Sequence, residues 1–300
     1  MKKIIILLII CLGITGCGTI KDDKLSIVTT NFPSYDFARA IIKDSDSINL
    51  EMIIKPGAEL HDYEPTPQDI IKIKKSDIFI YVGGDSDSWI DEVLKSIDTK
   101  HTKVIKLMDL VNNVYEGSTL EGDSDELDEH VWTSPNNAKL IVKKISDVII
   151  DIDIDNKELY ENNTINYIDE IEGIISGIKD VINSSKRNEL IFGDRFPLIY
   201  FTNEFNLNYY AAFPGCSHQT EASSKTIAKL IDKVKKDEIP VVLKLELSNN
   251  NIAQTIADAT NTKVLEFHSI HNVTKEDFEA GVTYIDLMQR NIKVLKEALM

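Results

Sequence analysis

Two rhythms of apolar residues alternate along the chain. Short, almost continuous runs such as LSIVTTNF from Leu25, INLEMII from Ile48, DIFIYVGG from Asp77 and KVIKLMD from Lys103 have the length and composition of buried parallel strands. Between them, Ser34–Ile42 reads as a helix, and Pro67 stands at a first helical position. In SWIDEVLKSI, residues Ile90, Val93, Leu94 and Ile97 recur at helical spacing. From Pro135 to about Ser184 the pattern is helical, interrupted at DIDIDN, where Asp155 is placed to cap a second helix through Tyr160, Ile168, Ile171 and Ile175. Strands and helices then alternate again: ELIFGD, NLNYYAAF, EASSKTIAKLIDKV, IPVVLKLEL, NIAQTIADAT, TKVLEFH, and a last helix ending at Leu299.

Such alternation predicts an α/β fold. Two similar lobes are expected, each a mainly parallel sheet covered by helices, over residues 25–134 and 187–300. A long rigid helical connector, residues 135–186, joins them. No sequence repeat relates the lobes. In sheets of this kind, ligands bind beyond the carboxyl ends of the strands.

The first residues follow another logic. MKKIIILLIICLGITGC begins with Lys2 and Lys3, continues through an apolar stretch from Ile4 to Ile14, and ends in small residues before Cys17. The run is short for a membrane span and fits the apolar region of a secretory signal. Ile14-Thr15-Gly16-Cys17 resembles a bacterial lipobox, so residues 1–17 are expected to be a lipoprotein signal with Cys17 the acylated residue. The alternative is a transmembrane anchor. Residues 18–24 read as a polar tether. With Cys11 in the signal and Cys17 carrying lipid, Cys216 is the remaining cysteine, and a disulfide framework is not expected.

Asp and Glu outnumber Lys and Arg by 49 to 33, a formal charge of -16 that argues against nucleic acid as a partner and suits attraction of cations. Within that acidic background, histidines stand at lobe edges. His61 lies in KPGAELHDYEPTPQDI beside Glu59, Asp62 and Glu64, acids able to orient its ring, with Pro65 and Pro67 stiffening the loop. His130 follows Asp123, Asp125, Glu126, Asp128 and Glu129 in a low-complexity acidic stretch, residues 116–130. His268 and His271 follow the apolar run ending at Phe267, and Glu246 ends VVLKLEL. Each histidine alone could be a solvated side chain; their joint placement at strand ends points to metal.

PGAELHDYEPTPQDI followed by SDIFIYVGGDSDSWIDEVL, together with DEHVWTSPNNA and GVTYIDLMQRNIKVLKEAL, resembles the zinc and manganese substrate-binding lipoproteins of ABC importers, the cluster A-I family. The resemblance covers roughly residues 25 to 299. It implies that His61 and His130 occupy the family's first two ligand positions. The third falls in FGDRFPLIYF, where the match is Gly193 and the neighbour Asp194 could serve if the loop shifts, unless Arg195 holds it in an ion pair. The fourth, commonly an aspartate before Ser, coincides with His268; His271 is the lesser candidate, and Glu246 could reach the same edge. Cys216 and His218 lie in a loop that in relatives packs beside the site, Cys216 read first as a structural thiol.

Imidazoles with a carboxylate suit Zn2+ over Mn2+, although nickel and copper also favour such donors. The implied function is capture of a metal ion at the outer face of a membrane and its delivery to an ABC permease with its ATPase, by a monomer held through a lipid on Cys17. Two other classes compete. An extracellular zinc hydrolase would carry a motif such as HExxH, HxxEH or GxSxG, and none occurs. A metal-stabilised adhesin would use the ion only to hold its fold.

Overall fold

A computed structural model describes residues 24–59, 63–98, 100–119, 122–213 and 222–300. His61, Cys17, Cys216 and His218 lie outside the described residues.

In the first lobe, strands β1 (Leu25–Thr29), β2 (Ile48–Met52), β3 (Ile78–Tyr81) and β4 (Lys103–Lys106) form a fully parallel sheet in the order β2-β1-β3-β4. The second lobe repeats this winding. Its strands β7 (Glu189–Phe192), β8 (Asn208–Ala211), β9 (Val241–Lys244) and β10 (Lys263–Glu266) are parallel in the order β8-β7-β9-β10. The near-continuous apolar strands make this possible, because both faces of each sheet are covered. Ile27, Ile78 and Ile80 join a core that also contains Phe192, Leu243 and the connector's Ile171 and Ile178. The alternate residues Val28, Phe79 and Tyr81 belong to a separate outer cluster, as do Ile191 and Val242 in the second lobe. The lobes therefore share one continuous core.

The connector is α4 (Pro135–Ile152) followed by α5 (Lys157–Ser184). At 28 residues α5 is about 42 Å long. It buries Tyr160, Thr164, Tyr167, Ile171, Ile174, Ile178 and Val181, spaced by three or four, against α4, α1 (Phe32–Ile41) and the terminal helix α10 (Tyr284–Leu299). Asp155 does not cap α5: it lies in a 3-10 turn, Ile154–Asn156, and the N-cap position falls to Asn156. Asp153 instead gathers the turn, accepting from Ser47 Oγ and Tyr160 Oη, both at 2.6 Å, and from Asn156 Nδ2.

Other helix starts follow local chemistry. Thr66 and Asp69 form a capping box at α2 (Pro67–Lys75), and Ser134 accepts from Asn137 N at the start of α4. Periodicity alone does not disclose three further features. The acidic stretch is a two-stranded antiparallel hairpin, β5 (Glu116–Thr119) with β6 (Gly122–Leu127), in place of a loop. Short helices α6 (Ile199–Phe205) and α9 (Lys275–Glu279) fill out the second lobe. The hairpin closes through Asp128 N donating to Tyr115 O at 2.8 Å, and in doing so it delivers Glu129 and His130 to the space between the lobes.

Candidate metal centre

Just past the hairpin, Glu129, His130 and His271 offer ligand atoms that all lie within 4.8 Å of one another. The first two come from the first lobe's edge and are buried; His271 comes from the loop after β10 and is half-buried. The imidazole centroids of His130 and His271 stand 4.9 Å apart, and the Trp132 ring lies 5.3 Å from His130 and 5.6 Å from His271.

Each member is held by the fold. Asp128 Oδ1 accepts from both the backbone N–H and Nδ1 of His130, each at 2.9 Å, with both side chains 2% exposed. That bond fixes the tautomer with the proton on Nδ1 and makes Nε2 the donor available to a cation, the arrangement common to histidine ligands. Tyr200 Oη, from α6, donates to Asp128 O at 2.7 Å and so supports this residue from the second lobe. Glu129 accepts from Ser86 N at 3.3 Å and from Ser86 Oγ. Burial pushes its carboxyl up to about 7, although His130 and the Ser86 bonds pull the other way. Gly84, at φ 91°, leaves this carboxylate its room: a Cβ there would stand 2.5 Å from Glu129 Oε2.

The His271 loop is anchored by Glu246. Its carboxylate accepts from Ser269 N at 2.7 Å, Ser269 Oγ at 2.6 Å and His271 N at 3.1 Å. Trp132 Nε1 donates to Ser269 O at 2.9 Å from the opposite side. His268 is buried, its Nδ1 3.3 Å from Glu246 Oε1. Its Nδ1 accepts from Ile270 N at 2.9 Å, and its backbone is gripped by Asn291 at 2.7 Å in both directions. Ile270 has a φ of 63°, rare for a β-branched residue, and this left-handed step separates the directions of His268 and His271. Asp194 sits 6% exposed, its Oδ2 accepting from Leu245 N at 3.0 Å and Ser248 Oγ, its Oδ1 from Arg195 N at 2.8 Å. The Arg195 guanidinium pairs with Glu59 across the crevice, at 3.7 Å.

Of the residues proposed from sequence, His130 thus stands in the described cluster, while His268, Asp194 and Glu246 brace the loops around it. Glu129 and His271 are the members that pattern alone does not single out. Glu129 is one of five acids before His130, and only its adjacency in DEHVW hints at more. Nothing in HSIHN distinguishes the two imidazoles without the turn at Ile270. A cavity of about 30 Å³ adjoins the cluster, lined among others by Ala58, Glu59, Arg195, Glu246 and His271.

Two parallel-sheet lobes on a long helix thus bring two imidazoles and a carboxylate together between them, a donor set that suits a metal ion. Residues 27–298 match the family described as ZnuA, zinc-uptake complex component A, periplasmic. The chain is 30% identical to the zinc-binding lipoprotein AdcA of Streptococcus pneumoniae, an alignment covering 99% of this chain and 61% of AdcA. It therefore spans about three fifths of that relative. Identity is also 30% with the high-affinity zinc uptake system protein ZnuA of Bacillus subtilis, covering 95% of this chain and 91% of ZnuA. Among solved structures, the metal-dependent lipoprotein YcdH of Bacillus subtilis superposes with a TM-score of 0.79 at 29% identity, over 92% of this chain and all of that one. The Zn(II)-bound ZnuA-like domain of Streptococcus pneumoniae AdcA gives 0.76 at 29% identity, over 92% and 99%. The chain belongs to this zinc-uptake family. The family's members are extracytoplasmic solute-binding components of ABC uptake systems and are not enzymes.

Proposed function

We propose that this chain is an extracytoplasmic lipoprotein that captures a divalent transition metal ion, Zn2+ before Mn2+, between its lobes and delivers it to an ABC permease. The observation that carries the reading is the convergence of Glu129, His130 and His271 within 4.8 Å, backed by membership of a zinc-uptake family. Two imidazoles and one carboxylate suit zinc, which accepts nitrogen donors in a four-coordinate shell, better than manganese, which prefers oxygen. His61 is the proposed fourth donor. It follows Ala58 by three residues, and Ala58 lines the cavity beside His271. His268, Asp194 and Glu246 act in support, as holders of the loops that carry the ligands.

The organisation proposed around this site is a signal at residues 1–17, a lipid on Cys17, a tether at 18–24, a first lobe at 25–134, the connector at 135–186 and a second lobe at 187–300, working as a monomer. Metal analysis of the purified chain, followed by competition between zinc and manganese, tests the reading. Zinc is expected to bind at one equivalent and to displace manganese. His130→Ala and His271→Ala should each weaken zinc binding by at least about a hundredfold, since each removes a ligand. Parental affinity in both variants refutes the site.

A further inference from the structure

The two loops that bring the proposed ligands together are tied to each other directly beside the site. Asn272, next to His271 and 2% exposed, donates through Nδ2 to Lys55 O at 2.9 Å and to Ala58 O at 2.8 Å. Its Oδ1 accepts from Val273 N at 2.9 Å, which sets the amide so that both N–H groups face the first lobe. Gly57 N returns a bond to Val273 O at 2.7 Å. The partner segment is a tight turn closed by Ala58 N donating to Lys55 O at 3.0 Å, with Gly57 at φ 80°, a conformation that glycine adopts without strain.

We propose that Asn272 is a positioning residue of the metal site, a latch that fixes the first-lobe turn Lys55–Ala58 against the His271 loop. This inference rests on the metal-capture reading above and assigns a further residue to it. The latch sets the separation of the lobes at the donors before an ion arrives. Pre-set donors spare the ion the cost of ordering two loops, and an intact latch must open or strain before a bound ion leaves. Its chief effect therefore falls on the rate of release. Two hydrogen bonds between the lobes, each with a modest net contribution, correspond to roughly a ten- to hundredfold change in that rate.

Zinc-loaded parent chain and variants are mixed with an excess of a chromophoric chelator well below their unfolding temperatures, and zinc release is timed alongside thermal unfolding of each metal-free protein. Asn272→Ala and Asn272→Asp are expected to release zinc roughly ten- to a hundredfold faster than the parent. Aspartate keeps the shape but presents oxygen to two carbonyls, so it is expected to be the faster. Thr164→Ala is the comparison. It breaks a buried bond to Ser146 Oγ inside the connector, between α4 and α5, so it should lower the unfolding temperature and leave release at the parental rate. Gly57→Ala, at an exposed position on the other side of the latch, should quicken release severalfold and serves if the Asn272 variants do not fold. Parental release from the Asn272 variants, or from Gly57→Ala where those do not fold, overturns the latch. Equal acceleration by Thr164→Ala overturns it too, by showing a merely structural effect. A parent chain that takes up no zinc overturns the metal-capture reading itself.

Discussion

Gly193 is where the family resemblance places a third ligand, and the surroundings of that residue decide what a side chain there would do. It follows β7, and its N–H extends the pairing with β9 by donating to Leu243 O at 2.9 Å. A Cβ built on it would stand 2.4 Å from Ala253 Cα, 2.7 Å from Ala253 N and 2.8 Å from Ala253 Cβ, where ordinary contact begins near 3.4 Å. The obstacle is the backbone of α8 (Asn251–Thr260), which cannot rotate aside as a side chain can. Relief needs a displacement of about 1 Å by a buried helix or strand, and overpacking of this kind typically costs about 1–3 kcal/mol. A backbone collision belongs at the upper end, so Gly193→Ala is expected to lower the unfolding temperature by roughly 5–10 °C. Gly193→His should cost more and should not tighten zinc binding, because its ring must first pass the same helix. Calorimetry of both variants with zinc titrations is the assay. A Gly193→Ala protein as stable as the parent, or a Gly193→His protein that binds zinc more tightly, would refute the steric argument.

Asp128→Ala removes the acceptor that holds His130 Nδ1 and is expected to weaken zinc binding about 10- to 100-fold with little loss of helicity; titration against a competing chelator reads this, and an unchanged affinity would show the bond to be idle. Asp87 offers a pH test. Its buried carboxyl accepts from Val82 N and Gly83 N, and burial pushes it up to about 6 from an ordinary 3.8, outweighing those bonds and Lys106. A raised acid holds its proton more tightly folded than unfolded, so its contribution is full below about pH 4 and declines as pH rises to about 6, by about 3 kcal/mol in all. Asp87→Asn keeps an acceptor oxygen and abolishes the ionisation. Urea unfolding at pH 4, 6 and 8 should therefore show the variant gaining on the parent as pH rises, and parallel curves would contradict this.

Much of the fold follows from sequence alone. The near-continuous strands at Ile78–Tyr81 and Val241–Lys244 bury both faces, which requires helices on either side and so a parallel, wound sheet. Pro67 and Pro135, each after a capping hydroxyl, mark helix starts that the structure reproduces. His130 is legible too, because an imidazole in DEHVWTSP sits where a strand-end crevice is due. What the sequence could not show is which polar groups would meet across the two lobes. Periodicity reports burial relative to a residue's own element, whereas Glu129 and His271 lie more than 140 residues apart and meet only after the hairpin and the turn at Ile270 have aimed them. The same limit applies to His268, Asp194 and Glu246. Their chemistry suits a cation, yet each is committed to nearby backbone N–H groups, an outcome set by three-dimensional hydrogen-bond demand. Residue type determined which side chains could bind a metal ion; tertiary packing decided which of them face the crevice and which hold its walls.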